Sequence, residues 1–273
     1  MSRKLKAIPL YLILLLSLVV FLAPFYIVVL NSFKTNKEIV KDAIAFPEAL
    51  NFDAYVTAFD KMDYLRSFGN SAYVTLLSVF FILLLSSMCA YLFARKSWKI
   101  NKIIFMIMVA SMIIPFQTIM IPLVKNFASW DIMDNLNTVI FFYVGVNAPM
   151  AVFMFHGFIK NVPYELEEAA RIDGCTQFGV FFRIVLPLLK PIASTIMILN
   201  VLGLWNDFLF PFIIIKTQTL RTLPLTTYIF SGQYATNYSL VTAGLVLTII
   251  PIIVLYLFLQ KHIIAGIAQG AIK

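Results

Sequence analysis

The chain has 273 residues, of which 61% are hydrophobic and only 12% charged, with a mean hydropathy of +0.91. A soluble domain of this length carries about twice that charge, so the composition excludes an ordinary water-soluble protein and makes lipid the solvent. The net charge of +8 does not point to nucleic acid, because the basic residues sit at the ends of apolar runs, where orientation signals lie.

A membrane span needs about 20 mostly apolar residues. Met1–Lys6 followed by an apolar run resembles a secretory signal. The run is about 23 residues long and lacks a small-residue cleavage site, so it reads as a retained first span, Ile8–Leu30. An aromatic, polar segment of residues 31–70 follows. Further spans are expected at Ser71–Ala94, Ile103–Val124, Thr138–Ile159, Leu186–Trp205 and Leu240–Leu259. The fold class is therefore all-α: six transmembrane helices in a single domain, residues 1–273. Pro24, Pro115, Pro149 and Pro251 lie inside these spans and mark kinks, since neighbouring helices can satisfy the carbonyls they free. Lys190 falls one turn into the fifth span, where its stem can snorkel.

Placing the N-terminus inside puts thirteen of the 21 basic residues in the inside segments, and nine of the thirteen acids outside. The short stretch Arg95–Lys102, with four basic residues and no acid, weighs most. Both termini are then cytosolic. Cys89 lies in an apolar run and Cys175 in a loop, so no disulfide is expected, and the only histidines, His156 and His262, are far apart. There is no GxxxxGK phosphate loop and no HExxH pair. No catalytic residue, cofactor or metal is expected in this chain.

The internal segment 160–185 is the most informative. Pro163 suits a first helical position, Glu165 and Glu167 suit the positive end of a helix, and Gly174 suits a left-handed C-cap. Thr176 can cap a second helix on which Phe178, Phe181, Phe182 and Val185 recur at helical spacing. The pattern is a helix–turn–helix at the membrane surface, with Ala169 and Ala170 leaving a notch that another protein can approach. An amphipathic linker would give the same pattern.

Glu168-Ala169-Ala170-x-x-Asp173-Gly174, followed by Phe181-x-x-Ile184-x-Leu186-Pro187-x-x-x-Pro191, resembles the EAA loop of binding-protein-dependent ABC importer permeases. Cys175 stands where alanine is usual. Trp205-Asn206-Asp207-Phe208, Thr222-Leu223-Pro224-Leu225 and the tail from Ile264-Ala265-Gly266 to Gly270 resemble the carbohydrate-uptake branch, and its maltose-, raffinose- and multiple-sugar-type second permeases in particular.

The resemblance implies a non-catalytic permease in a bacterial cell membrane. Its partners would be a second permease, two cytosolic ATPase subunits and an external sugar-binding protein. Glu168, Ala169, Ala170, Asp173, Gly174 and Pro187 would couple it to the ATPase. Gly266 and Gly270 would carry a tail contact with the same subunit, and Gly232, Gln233 and Tyr234 would meet the binding protein; an ordinary connector is the other reading of that segment. Asn200, Trp205 and Asn206 are candidates for the substrate path, since polar groups at membrane depth face a cavity or a bundle; helix packing is the alternative. Asp207 reads as a helix-end group. The rival function, a self-contained ion-coupled transporter, predicts repeated halves and charges at mid-membrane, and neither is visible.

Overall fold

The computed structural model describes residues 3–230 and 236–271, with side chains from residue 10 to residue 258. Its helices are α1 (Arg3–Asn31), α2 (Asn36–Lys41), α3 (Asp53–Lys61), α4 (Tyr64–Arg95), α5 (Lys99–Ser111), α6 (Phe116–Ser129), α7 (Leu136–Ile159), α8 (Glu165–Ile172), α9 (Gln177–Leu188), α10 (Lys190–Trp205), α11 (Leu209–Ile214), α12 (Leu223–Thr227) and α13 (Tyr238–Ala271). The protein is all-α, as its long apolar runs predict.

Among the described residues four helices, α1, α4, α7 and α13, are long and apolar enough to cross a membrane unbroken. The expected third span, Ile103–Val124, is not one rod. It consists of α5 and α6, bent by 106°. Pro115 causes the break: the residue before a proline is pushed out of the α region, and Pro115 itself is extended, at φ −63° and ψ 137°. At 13 and 14 residues, each half is about 20 Å long, too short to cross a hydrocarbon core of about 30 Å. The fifth expected span also has a bent partner, since α9 and α10 meet at 74°. There Pro191 cannot extend α9, because its ring would meet the carbonyl of Pro187 four residues back. The chain thus makes six crossings only if each bent pair counts as one. By contrast Pro149 and Pro251 sit inside continuous helices.

The chain forms two compact units, one of residues up to Leu65 with Leu223–Pro251, the other of Arg66–Thr222 with the segment from Ile252. In the first unit the segment after α1 folds onto the start of α13. The Thr35 hydroxyl and the Glu38 carboxylate cap α2 reciprocally, and the Thr35 hydrogen bonds hold that carboxyl below its ordinary value. Asn36 Oδ1 accepts from the Tyr238 amide at 2.9 Å, and the Ser239 hydroxyl donates to the Lys34 carbonyl at 2.7 Å. Gly244 makes room for this packing, since a Cβ would sit 3.0 Å from the Phe230 ring and 3.3 Å from the Met62 sulfur. From Leu10 onward the apolar side chains of α1 are exposed almost throughout.

In the second unit α7 is the central helix and packs against α5, α10 and α11. Lipid gives apolar side chains no reason to leave it, so close approach depends on small residues. The buried stripe of α4 has that composition, with Ser67, Ser71, Thr75, Ser78, Ser86 and Ala90, while Leu76, Phe80 and Leu85 face outward. Phe142 and Phe210 stack at 3.7 Å, and Phe116 and Phe127 meet Phe210 edge-on. This cluster fixes α6, α7 and α11.

Candidate functional site

The loop between α7 and α10 folds as the helix–turn–helix its sequence predicts, and its local chemistry explains each boundary. α8 opens on three acids in its first turn, Glu165, Glu167 and Glu168, which face the positive end of the helix dipole. Pro163 lies just before the helix rather than at its first position, because Tyr164 is the N-cap. At the other end Asp173 is the C-cap and Gly174 has φ +85°. The Gly174 amide donates to the Arg171 carbonyl at 3.0 Å and the Cys175 amide to the Ala170 carbonyl at 2.9 Å. That pair of bonds is a Schellman closure, and it needs the left-handed backbone that glycine tolerates. The Thr176 hydroxyl then caps α9, accepting from the Gly179 amide at 3.2 Å. Within α9, Phe181–Val185 widens to a π-helix that buries Phe181 and Val185 and leaves Phe178 and Phe182 exposed.

A buried ion pair fixes α8 to the end of α4. The Glu167 carboxylate, fully buried, accepts from Arg95 Nε at 2.7 Å and from the Tyr91 hydroxyl at 2.7 Å. Arg95 Nη2 donates to the Val162 carbonyl at 2.8 Å, and Arg171 stands 3.6 Å from the same carboxylate. The Tyr164 ring lies under both guanidiniums, 5.6 Å from that of Arg95 and 5.4 Å from that of Arg171. The Tyr164 hydroxyl accepts from Arg171 at 2.7 Å and holds that guanidinium above its ordinary value. Arg95, read from the sequence as an orientation charge, is therefore committed to this pair. Glu167, read as a dipole partner, is its buried centre. A faint sequence signal existed, because Tyr91 and Arg95 lie four residues apart on one helix face.

With its inner side fixed, α8 presents Glu165, Leu166, Glu168, Ala169 and Ile172 outward. The two alanines part company, as Ala169 is exposed and Ala170 is buried against the protein. The notch expected from the pair is therefore lined by Ala169 alone. Pro187 lies at the bend between α9 and α10, on a cavity of about 350 Å³ that Phe80, Phe155 and Lys190 also line.

The candidate substrate-path residues lie on α10 and its C-cap. Asn200 is half-buried and donates its amide to the Ile196 carbonyl at 2.8 Å; Asn206 is exposed and donates to the Leu202 carbonyl at 2.8 Å. Trp205 is buried with its ring edge-on to Phe68 at 5.7 Å, which places it in packing. Asp207 is a helix-end group. It accepts from the Tyr143 hydroxyl at 2.7 Å and from the Leu209 amide at the start of α11 at 3.0 Å. Gly232, Gln233 and Tyr234 lie outside the described residues. Gly266 and Gly270 fall where α13 continues as helix but beyond the described side chains.

The fold and the loop held by the ion pair define a multi-span membrane protein that presents one exposed, amphipathic helix between α7 and α10. The family model of the binding-protein-dependent transport system inner membrane component matches residues 82–269. The probable starch degradation products transport system permease protein AmyC of Thermoanaerobacterium thermosulfurigenes is 37% identical over 252 residues, covering 92% of each chain. The melibiose/raffinose/stachyose import permease protein MelC of Bacillus subtilis is 36% identical, covering 92% of this chain and 91% of that one. A chain of a bacterial ABC transporter involved in the import of the acidic polysaccharide alginate shares the fold, with a TM-score of 0.80 at 20% identity, over 96% of this chain and 98% of that one. The chain belongs to the family of binding-protein-dependent transport system inner membrane components. It is a transport permease and not an enzyme.

Proposed function

We propose that the chain is one of two permease subunits of an ABC importer for carbohydrates, oligosaccharides above all. The observation that carries the reading is its alignment over nine-tenths of its length with permeases named for starch degradation products and for melibiose, raffinose and stachyose. A second permease completes the pathway, two ATPase subunits bind beneath it, and an external binding protein delivers the sugar. A solved relative of the same fold supports the last partner, since it was captured in complex with an alginate pentasaccharide-bound periplasmic protein. Both termini face the cytosol of a bacterial inner membrane, as the basic turn between α4 and α5 favours.

In this reading α8 is the coupling helix. Its outward face, with Glu168, Ala169, Asp173 and the exposed Ile172, docks on the ATPase. Closure of the ATPase pair then moves α8 as a rigid body. Glu167 and Arg95 pass that motion to α4, and the π-helical turn and the bend at Leu189 pass it to α10. Asn200 and Asn206, whose amides are still partly accessible, are the assigned pathway groups. The tail with Gly266 and Gly270 adds a second contact with the ATPase, and Gly232, Gln233 and Tyr234 meet the binding protein.

Affinity purification of the tagged chain from its native membrane, with mass spectrometry of what accompanies it, tests the assembly; a second permease and an ATPase subunit are expected. Liposomes holding the chain alone should take up no labelled sugar, and saturable uptake by the lone chain would overturn the reading.

A further inference from the structure

We propose that a cleft formed by the turn between α4 and α5 and the end of α7 is a binding site for the headgroup of an anionic phospholipid. The cleft has a volume of about 440 Å³ and is lined by Lys96, Lys102 and Lys160, with Trp98, Asn101 and His156. No acidic residue lines it, and among the described residues none of these lysines forms an ion pair. The nearby Arg95 is already neutralised by Glu167, so the uncompensated charge in the cleft is that of the three lysines. All three lysines are exposed and free to meet a headgroup, and each lysine near a membrane surface contributes attraction to acidic lipid.

The cleft is built rather than accidental. Asn101 is buried, and its amide donates to the Lys96 carbonyl at 2.9 Å, which pins the turn that carries Lys96 and Trp98. The His156 ring lies 4.2 Å from that of Phe105 and closes the floor. α5 begins at the cleft with no side-chain cap, so the amides of its first turn add positive potential there.

Position distinguishes a lipid from a soluble anion. The cleft sits at the ends of α4 and α7, two helices long enough to cross a bilayer, and the end of a crossing helix lies at headgroup depth. Trp98 is exposed, as expected of a side chain at the membrane–water boundary. From the cleft the outer side of α5 continues with Ile103, Met106 and Ile107, all exposed, which gives an acyl chain a continuous apolar track. A phosphate ion would use the lysines and leave that track unused. The inference rests on the spans crossing a bilayer and on neither the cargo nor the ATPase.

The test is native mass spectrometry of the assembled transporter, delipidated in detergent and titrated with phosphatidylglycerol, cardiolipin or phosphatidylcholine. Anionic lipid should be retained at least about tenfold better than phosphatidylcholine. Lys96→Gln/Lys102→Gln/Lys160→Gln should erase that preference. The corresponding triple arginine variant should restore it, which separates loss of charge from loss of fold. A Lys37→Gln/Lys41→Gln/Lys216→Gln control should keep it. Equal retention of all three lipids overturns the proposal, as does a preference that survives the triple glutamine variant. Displacement of the lipid by millimolar inorganic phosphate would assign the cleft to a soluble anion and equally overturn it.

Discussion

Replacing Glu167 by alanine tests whether α8 is held rigidly to the spans. The substitution removes a carboxylate with no solvent exposure that accepts two hydrogen bonds of 2.7 Å, from Arg95 and Tyr91. Breaking a buried ion pair by deleting one partner costs about 3–5 kcal/mol, because the other charge stays desolvated. Arg95 keeps its bond to the Val162 carbonyl and its side chain is 12% exposed, so the lower end applies, about 3 kcal/mol. Since 1.4 kcal/mol is a factor of ten, local opening of α8 should become about a hundredfold more frequent. Hydrogen exchange of peptides spanning residues 163–175 reads this directly, because the α8 amides exchange through that opening. The double variant Arg95→Met/Glu167→Leu leaves no orphaned charge and should recover roughly 2 kcal/mol relative to the sum of the single changes. Unchanged exchange in Glu167→Ala, or strict additivity in the double variant, would refute the claim that this ion pair anchors the helix.

Gly174→Pro and Glu168→Lys should each abolish sugar-stimulated ATP hydrolysis of the reconstituted complex while the chain still inserts: proline cannot adopt φ +85°, and lysine reverses charge on the docking face. Gly174→Ala should be far milder, since a Cβ there meets nothing within 4 Å and only the left-handed backbone costs about 1 kcal/mol. Asp134 accepts from the Thr217 hydroxyl and from the amides of Thr217 and Lys216, which hold its carboxyl below the ordinary value. Its contribution is therefore complete above an unfolded value of about 3.9 and is lost as pH falls through the lower folded one, so a thermal-stability gap between wild type and Asp134→Ala should be present at neutral pH and shrink below about pH 4. In a background lacking Cys89 and Cys175, external thiol reagents should label Asp60→Cys but neither Trp98→Cys nor Gly270→Cys; the reverse pattern would invert the topology.

The amino-acid sequence by itself determined the solvent, the helical class and the local shape of the loop between α7 and α10. These are written in short-range chemistry. Long apolar runs have no stable home in water, Gly174 permits a left-handed closure after α8, and Thr176 offers a hydroxyl to the first amides of α9. Each needs only its neighbours within a turn or two, so each was legible without a partner in space. Tertiary structure alone decided the rest. Pro115 announced a disturbance, but a gentle kink and a turn of 106° look alike in one dimension; the packing of Phe116 and Phe127 on Phe210, from α11, accompanies the sharper bend. Glu167 is one of three acids in a row of four, and nothing local separates it from its exposed neighbours Glu165 and Glu168. It becomes the buried centre of the loop because Arg95, 72 residues earlier, ends α4 within 2.7 Å of it, and a buried carboxylate is tolerable only beside such a cation.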